Sequence, residues 1–376
     1  MSQSAYTATA LEDQSPTGSG APKKRIYYLD YLRVISIFMV LLVHASEIFY
    51  LGPSMLEIKI DENNGFWVNL IDSAMRACVP LFVIASGYLL LPLKDSPETF
   101  YKRRFSRILF PFIIWSILYA VLPYLWGAID LATMKTQLYT LTHSFNMPSG
   151  HLWFMYMFIG VYLFMPIISP WLKESSKKFM EFFLGIWFLT TFYHFAKLIF
   201  PNMLGEVYWN EFHTLWYFSG YIGYIVLAVY FRRFVNWSTS KNLIVGIPTF
   251  LIGYAVTYFV FKHQMGTAKD LYQLELSWRF CTPNVAMMTV GLFLIIKSIK
   301  IENQSINKVI KEISRLSFGI YLAHMFLLGP VYSYLIKGLE LSTPVAIIST
   351  GTICFIATLA LVKALSYLPK NKYLIG

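Results

Sequence analysis

Long apolar runs separated by short polar segments make up most of this chain. Ten of them have about 20 residues or more, the length that a helix needs to cross a bilayer. They lie near 28–50, 66–92, 108–127, 151–170, 179–199, 213–231, 243–262, 278–297, 314–336 and 344–368. The pattern predicts an all-α fold, a polytopic membrane helix bundle with about ten transmembrane helices.

The composition supports this fold class. Of 376 residues, 56% are hydrophobic and 14% are charged, and the mean hydropathy is +0.53. A soluble globular protein could not cover so much apolar surface. The formal net charge of +11 would suit nucleic acid, but most Lys and Arg occupy short segments on one predicted side of the membrane. This distribution predicts that both termini are cytoplasmic and that there is no nucleic acid partner.

The domain organisation follows from the polar ends of the chain. Residues 1–25 are rich in small and polar residues and lack an apolar core, so they are predicted to be a disordered cytoplasmic tail and not a cleaved signal. Residues 26–370 are predicted to be a single ten-helix transmembrane domain, since no loop is long enough for a core of its own. Residues 371–376 are predicted to be a cytoplasmic tail. The three cysteines show no metal-like spacing, and no metal is expected.

The first apolar run carries ionisable residues where burial is costly. Asp30, Arg33, His44 and Glu47 all lie within it. A helix turns about 100° and rises about 1.5 Å per residue, so Arg33 and His44 share one face, roughly 16 Å apart along the axis. Ionisable residues inside a spanning helix usually mark a pathway or a site. The first run is therefore predicted to present a functional face.

The second run combines a proline with small residues. Pro80 removes a backbone donor and predicts a kink. Ser86 and Gly87 permit the close approach of a ligand or of another helix, and helix packing is the commoner of the two. Asp72 and Arg76 are one turn apart and are predicted to pair with each other.

A group of arginines, here called the basic cluster, precedes the third run. It consists of Arg103, Arg104 and Arg107 in YKRRFSR. Guanidinium groups at the start of a helix suit phosphates, such as those of a nucleotide or of coenzyme A. Ordinary anchoring by the positive-inside rule is the alternative.

Two further histidines lie in later runs. His151 and Trp153 stand at the outer end of the fourth run, and His324 lies in the middle of the ninth. Such a histidine is either a hydrogen-bonded structural residue or part of a site. Other aromatic residues near the predicted outer face include Tyr208, Trp209 and Trp216. They fit either an aromatic belt or stacking on sugar rings.

Five stretches, in order along nearly the whole hydrophobic region, together resemble the membrane-bound acyltransferase 3 family. They are LDYLRVISIFMVLLVHAS, PLFVIASGYLL, RRFSRILFPF, HLWFMYMFIGVYLFMPI and SFGIYLAHMFLL. The resemblance implies a multi-pass enzyme of the plasma (inner) membrane that moves an acyl group, usually acetyl, from cytoplasmic acyl-CoA to an extracytoplasmic glycan or related molecule. The chain is similar to the stand-alone polysaccharide O-acetyltransferase branch, with acetyl-CoA as the donor substrate.

The same resemblance suggests roles for residues. His44 matches the essential histidine of the family, and Arg33 matches the arginine that precedes it. Asp30 belongs to the recurring L-D-x-L-R stretch. The basic cluster matches the one that the family uses to handle the donor.

A mechanism can also be built from the chemistry of the residues. Transfer from a thioester to a hydroxyl needs a base, and the imidazole pKa suits neutral pH. We expect His44 to be the general base or a transient acyl carrier, and Arg33 to bind the donor or to stabilise developing charge. The basic cluster would hold the donor phosphates. Glu47 either orients the His44 imidazole or is a solvated residue at the helix end.

The remaining assignments are less specific. Ser86 and Gly87 are expected at the acyl-CoA site. Substrate or structural support is expected from Asp30, His151, Trp153 and His324. The expected partners are acyl-CoA, a glycan or lipid-linked sugar acceptor, membrane lipid and, as an open question, a second copy in a homo-oligomer.

Competing interpretations stay open. A multi-span transporter or flippase for lipid-linked sugars would also bury charges, and a membrane sensor or scaffold is a further alternative. Another acyl donor or an amine acceptor is compatible with the sequence.

Overall fold

A computed structural model describes residues 25–52, 57–144 and 147–376. This part of the chain is helical and contains no strand, apart from two isolated β-bridges. The helices are α1 (Tyr27–Glu47), α2 (Glu62–Met75), α3 (Cys78–Leu90), α4 (Pro97–Leu125), α5 (Leu131–Thr140), α6 (Trp153–Glu174), α7 (Lys177–Thr190), α8 (Tyr193–Ile199), α9 (Ile222–Phe234), α10 (Thr239–Thr267), α11 (Leu271–Leu274), α12 (Pro283–Lys297), α13 (Gln304–Pro330), α14 (Thr343–Leu365) and α15 (Lys372–Ile375). The predicted all-α class is confirmed. The predicted tail of residues 1–25 lies outside the described residues, except for Arg25.

Nine segments of the described chain are long and apolar enough to cross a membrane. They contain α1, α2 with α3, α4, α6, α7 with α8, α10, α12, α13 and α14. The protein is therefore a multi-pass membrane protein, as its hydrophobic pattern predicts.

The sixth predicted run, 213–231, is only partly helical. Its first part is a loop that holds Gly220 at φ +77°, a conformation that favours glycine, and α9 begins after it. The 13 residues of α9 cover about 20 Å, which is less than the roughly 30 Å of a hydrocarbon core. α9 still packs along α3, and Arg232 Nη1 donates to the carbonyls of Tyr88 and Leu91 at the end of α3, at 3.1 and 2.9 Å.

The second run bends where its proline predicts. α2 ends at Met75 and α3 begins at Cys78. Pro80 has no N–H to donate to the carbonyl of Arg76, and its ring crowds that carbonyl. The predicted kink is confirmed as a break between two helices.

The central helix of the bundle is α1. It packs against α2, α3, α12, α13 and α14, and Leu32, Ile37, Leu41 and Ala45 along it are fully buried. In contrast, α7 and α10 keep most of their surface exposed, as helices that face lipid do. The ionisable face of α1 therefore lies inside the protein and not against lipid, where its charges would be costly.

The end of the chain is folded onto the bundle. Segment 371–376 is predicted to be a tail, but it contains α15, which packs on α4 and α13. Trp115 Nε1 donates to the Leu374 carbonyl at 2.8 Å, and Ile375 is buried. Because the aromatic and aliphatic residues of α15 find partners in the bundle, the segment is a structural part of it.

Candidate active site

A cavity of about 680 Å³ lies inside the bundle along α1. Its basic end is lined by Arg25, Arg33, Arg104, Arg107 and Arg315. Its histidine end is lined by His44, Glu47, Arg76, His151 and Glu275. Its apolar middle includes Val40, Val79, Phe82 and Phe158. The volume is that of a small-molecule site, and the shared face predicted for Arg33 and His44 does line it.

At the histidine end, His44 and Glu47 are joined by a hydrogen bond. Glu47 Oε2 lies 2.8 Å from His44 Nδ1, and the two side chains are only 15% and 18% exposed. A carboxylate accepts hydrogen bonds, so this contact assigns the proton to Nδ1 and leaves the lone pair on Nε2. Glu47 therefore lies against the imidazole and is not a solvated residue at the helix end.

Two more imidazoles surround His44. The ring centroid of His324 is 5.2 Å away and that of His151 is 6.5 Å away. His324 is fully buried, and its Nδ1 lies 2.7 Å from the Tyr321 carbonyl. Both ring nitrogens of His151 lack a hydrogen-bond partner among the described residues. Nε2 of His324 likewise lacks a hydrogen-bond partner among the described residues, but of these two histidines only His151 lines the cavity.

The histidines do not suggest a metal. Within residues 25–52, 57–144 and 147–376, no group of three or more His, Cys, Asp or Glu side chains is arranged so that it could hold a metal ion.

The basic cluster divides into two parts. Arg104 and Arg107 line the cavity. Arg103 does not, because its guanidinium is drawn to Asp95 at 2.5 Å and stays 66% exposed. Of the three residues predicted to bind phosphates, the structure brings Arg104 and Arg107 to the cavity and places Arg103 outside it.

Asp30 holds the basic end together. It is 4% exposed, and it accepts from Arg25 Nε at 2.7 Å, from Arg25 Nη2 at 2.8 Å and from Ser314 Oγ at 2.7 Å. Asp30 thus ties α1 to α13 and fixes Arg25 at the cavity. In the sequence, Arg25 and Arg315 look like ordinary basic residues at the ends of membrane-spanning runs. Sequence reasoning therefore missed both of them as cavity residues.

Ser86 and Gly87 have different environments. Ser86 lines the cavity. Gly87 does not, and a Cβ built on it would lie 2.9 Å from the Ala228 Cβ of α9. Gly87 therefore lies outside the cavity expected to hold acyl-CoA, at the contact that lets α3 and α9 approach each other.

A buried charge group adjoins His44. Arg76 Nη2 donates to Asp72 Oδ2 at 2.6 Å, which confirms the predicted pair, and the guanidinium lies 4.0 Å from the Trp278 ring centroid. Glu275 Oε1 accepts from Tyr50 Oη at 2.6 Å. Burial raises the pKa of Glu275, although the charge of Arg76 opposes the shift. Sequence reasoning missed Glu275, since it stands in a connecting segment with no motif around it.

A second cavity, of about 470 Å³, adjoins the histidine end. The residues that line both cavities, here called the partition, are Arg76, Trp153, Glu275 and Phe280. Trp216 lines the second cavity, whereas Tyr208 and Trp209 are 88% and 72% exposed and line neither.

Fold and site together define a multi-pass membrane protein with an internal polar site between an arginine end and a histidine end. The model of the acyltransferase 3 family, described as an acyltransferase domain, matches residues 26–365. The chain therefore belongs to this family, and the protein is a membrane acyltransferase. No curated protein and no solved structure matches the chain.

Proposed function

We propose that the protein transfers an acyl group, in the first place acetyl, from cytoplasmic acyl-CoA to a hydroxyl of an extracytoplasmic or lipid-linked glycan. The observation that carries this proposal is one cavity that joins five arginines to the His44–Glu47 pair. A charged donor and a polar acceptor cannot meet in lipid, so a transfer between two compartments needs such a cavity inside the bundle.

The donor binds from the cytoplasm at the basic end. Lys and Arg favour the cytoplasmic side of a membrane protein, and this end contains five guanidinium groups. Both termini are then cytoplasmic, and the histidine end faces the outer half of the membrane. A plasma (inner) membrane would give the enzyme acyl-CoA on one side and surface glycan on the other.

Arginines and apolar residues bind different parts of the donor. Arg33, Arg104 and Arg107 bind the phosphates of acyl-CoA through charge-assisted hydrogen bonds. The apolar middle takes the pantetheine arm, and the thioester reaches His44. Since Arg33 lies roughly 16 Å from His44 along α1, it binds the donor and does not stabilise charge at the reacting carbonyl.

His44 is the general base of the transfer. Its Nε2 takes the proton of the acceptor hydroxyl, and the oxygen attacks the thioester carbonyl. The carbon–sulfur bond breaks, and the proton leaves on the sulfur of coenzyme A. Glu47 holds the imidazole in the required tautomer and stabilises its charged form. The N–H of His151 donates a hydrogen bond to the oxyanion that forms at the carbonyl after the attack and before the carbon–sulfur bond breaks.

The test compares cells that contain the protein with cells that lack it. Mass spectrometry of their envelope glycans should find sugars heavier by one acetyl group only when the protein is present, and purified protein should release free thiol from acetyl-CoA when glycan is added. Unchanged glycans and no thiol release would overturn the proposal. Glycan movement without use of acetyl-CoA would identify a transporter instead.

A further inference from the structure

The second cavity is built mainly by segments that the first does not use. It is lined by α7, α8 and the loop before α9, which the first cavity does not use, and by the segment between α11 and α12, which both cavities use. It touches the first cavity only through the partition. A ligand in it would therefore lie beside the histidine end without occupying the donor path.

Some residues that line this second cavity carry unpartnered polar atoms. Tyr193 Oη, His213 Nδ1 and Arg279 Nε are buried and have no hydrogen-bond partner among the described residues. His213 is 4% exposed, and its ring stacks on Tyr193 at 4.1 Å between centroids. Burial lowers the pKa of the His213 imidazole, which favours its uncharged form. Buried polar groups are normally hydrogen-bonded, so these atoms have capacity left for a polar ligand or for water.

Aromatic rings complete the lining. Trp153, Trp216 and Trp278 all line the cavity. Large aromatic faces next to hydrogen-bonding groups suit a ligand that has both apolar C–H faces and hydroxyls. A sugar ring has this combination.

The charges at the cavity are balanced. Arg76 is paired with Asp72, and Arg279 lies close enough to Glu275 for the two charges to interact. Burial favours the uncharged form of His213, since it lowers the pKa of the imidazole. A cavity with balanced charges favours an uncharged ligand, since an anion or a cation would leave one of these groups without its counter-charge.

We propose that the second cavity is the acceptor site and that it binds an uncharged sugar ring, with Tyr193 and His213 as hydrogen-bonding residues. This inference rests on the proposed acyl transfer and deepens it. The reacting hydroxyl passes the partition to reach His44 Nε2, while the rest of the ring stays in the second cavity. Donor and acceptor then approach His44 from different sides.

The test uses the double variant Tyr193→Phe with His213→Ala in cells whose envelope glycans are acetylated by the wild-type protein. Loss of two hydrogen bonds should reduce glycan acetyl content by about tenfold or more. The affinity of the purified variant for acetyl-CoA should stay within about twofold of wild type, because neither residue lines the first cavity. The exposed Tyr217→Phe is the matched control and should change neither quantity.

Each other outcome counts against the inference. Unchanged acetylation would exclude these residues from acceptor binding, and loss of both acetylation and acetyl-CoA binding would make them part of the scaffold. Fragmentation of the glycan should find the acetyl on a neutral sugar, and an acetylated acidic sugar would overturn the charge argument. If the wild-type protein transfers no acetyl group, the proposed function itself fails, and this would be seen before any variant is compared.

Discussion

The two ends of the first cavity are built in different ways. At the basic end, five arginine side chains line the cavity, and one neighbouring arginine, Arg103, is 66% exposed and paired with Asp95. At the histidine end, His44 and Glu47 are mostly buried and held by a 2.8 Å hydrogen bond. The basic end has several similar charges, so the loss of one should weaken donor binding without stopping the transfer. The histidine end relies on the position of single atoms, so there the loss of one side chain should slow the transfer itself.

The largest effect is expected at His44. His44→Ala removes the proposed base, and kcat for acetyl transfer should fall by about 10²–10⁴-fold. The affinity for acetyl-CoA should hardly change, because the proposed phosphate site is at the other end of the cavity. His143→Ala, which removes an exposed histidine outside the cavity, is the control. Normal turnover by His44→Ala in a correctly inserted protein would remove His44 from the mechanism.

Glu47 should have the next largest effect. Glu47→Gln keeps the shape but removes the charge that stabilises the imidazolium, and kcat should fall by about 10–100-fold with little change in the KM for acetyl-CoA. Glu47→Asp should recover part of the rate, which a purely structural residue would not predict. Glu302→Gln, at an exposed glutamate, should behave as wild type. Equal changes in KM and kcat would contradict an orienting role.

Effects at the basic end should appear in KM. Arg104→Gln and Arg107→Gln each remove a charge-assisted hydrogen bond, so the KM for acetyl-CoA should rise by about tenfold with kcat nearly unchanged. Arg103→Gln is the matched control one position away and should raise it less than about twofold. An effect of Arg103→Gln as large as that of Arg104→Gln would mean that the whole cluster acts as a diffuse charge.

The salt concentration provides a further test of the difference between the two ends. Mobile ions screen exposed charges more strongly than buried ones. Raising the KCl concentration should therefore increase the KM for acetyl-CoA and leave kcat nearly constant. A fall in kcat with salt would show that the histidine end is open to ions.

The smallest effect on transfer is expected at Gly87, which lies outside the cavity at the contact between α3 and α9. Gly87→Ala forces a methyl group against Ala228 at 2.9 Å, and overpacking of this kind costs about 1–3 kcal/mol of folding free energy. The melting temperature should fall while the KM for acetyl-CoA stays the same. The preceding residue, Ser86, does line the cavity. Ser86→Ala is the comparison variant and should leave the melting temperature nearly unchanged. A raised KM in Gly87→Ala would return this glycine to the donor site.

The sequence predicted the parts of this site that depend on one helix. The spacing of Arg33 and His44 fixes their common face, because helix geometry is local. Likewise, the position of Pro80 predicted the bend in the second run, and the one-turn spacing of Asp72 and Arg76 predicted that these two residues pair. Family resemblance added the wider assignment, which the match over residues 26–365 supports.

The parts that were missed depend on packing between distant segments. Glu275 reaches the histidine end from a connecting segment, and no periodicity marks it. Arg103 and Arg104 look alike in sequence, but only the nearby Asp95 decides which of them turns away. The length of α9 was overestimated, since a run of apolar residues continues through Gly220 although the helix does not.

The partition also has an electrical consequence. In the proposed reaction an acetyl group replaces a proton on the glycan outside, and a proton replaces the acetyl group on the sulfur of coenzyme A inside. Because neither side changes its net charge, a complete transfer moves no charge across the layer formed by Arg76, Trp153, Glu275 and Phe280. A membrane potential therefore contributes nothing to the equilibrium of the overall transfer. The outer glycan would be modified to the same equilibrium extent in an energised and in a depolarised membrane.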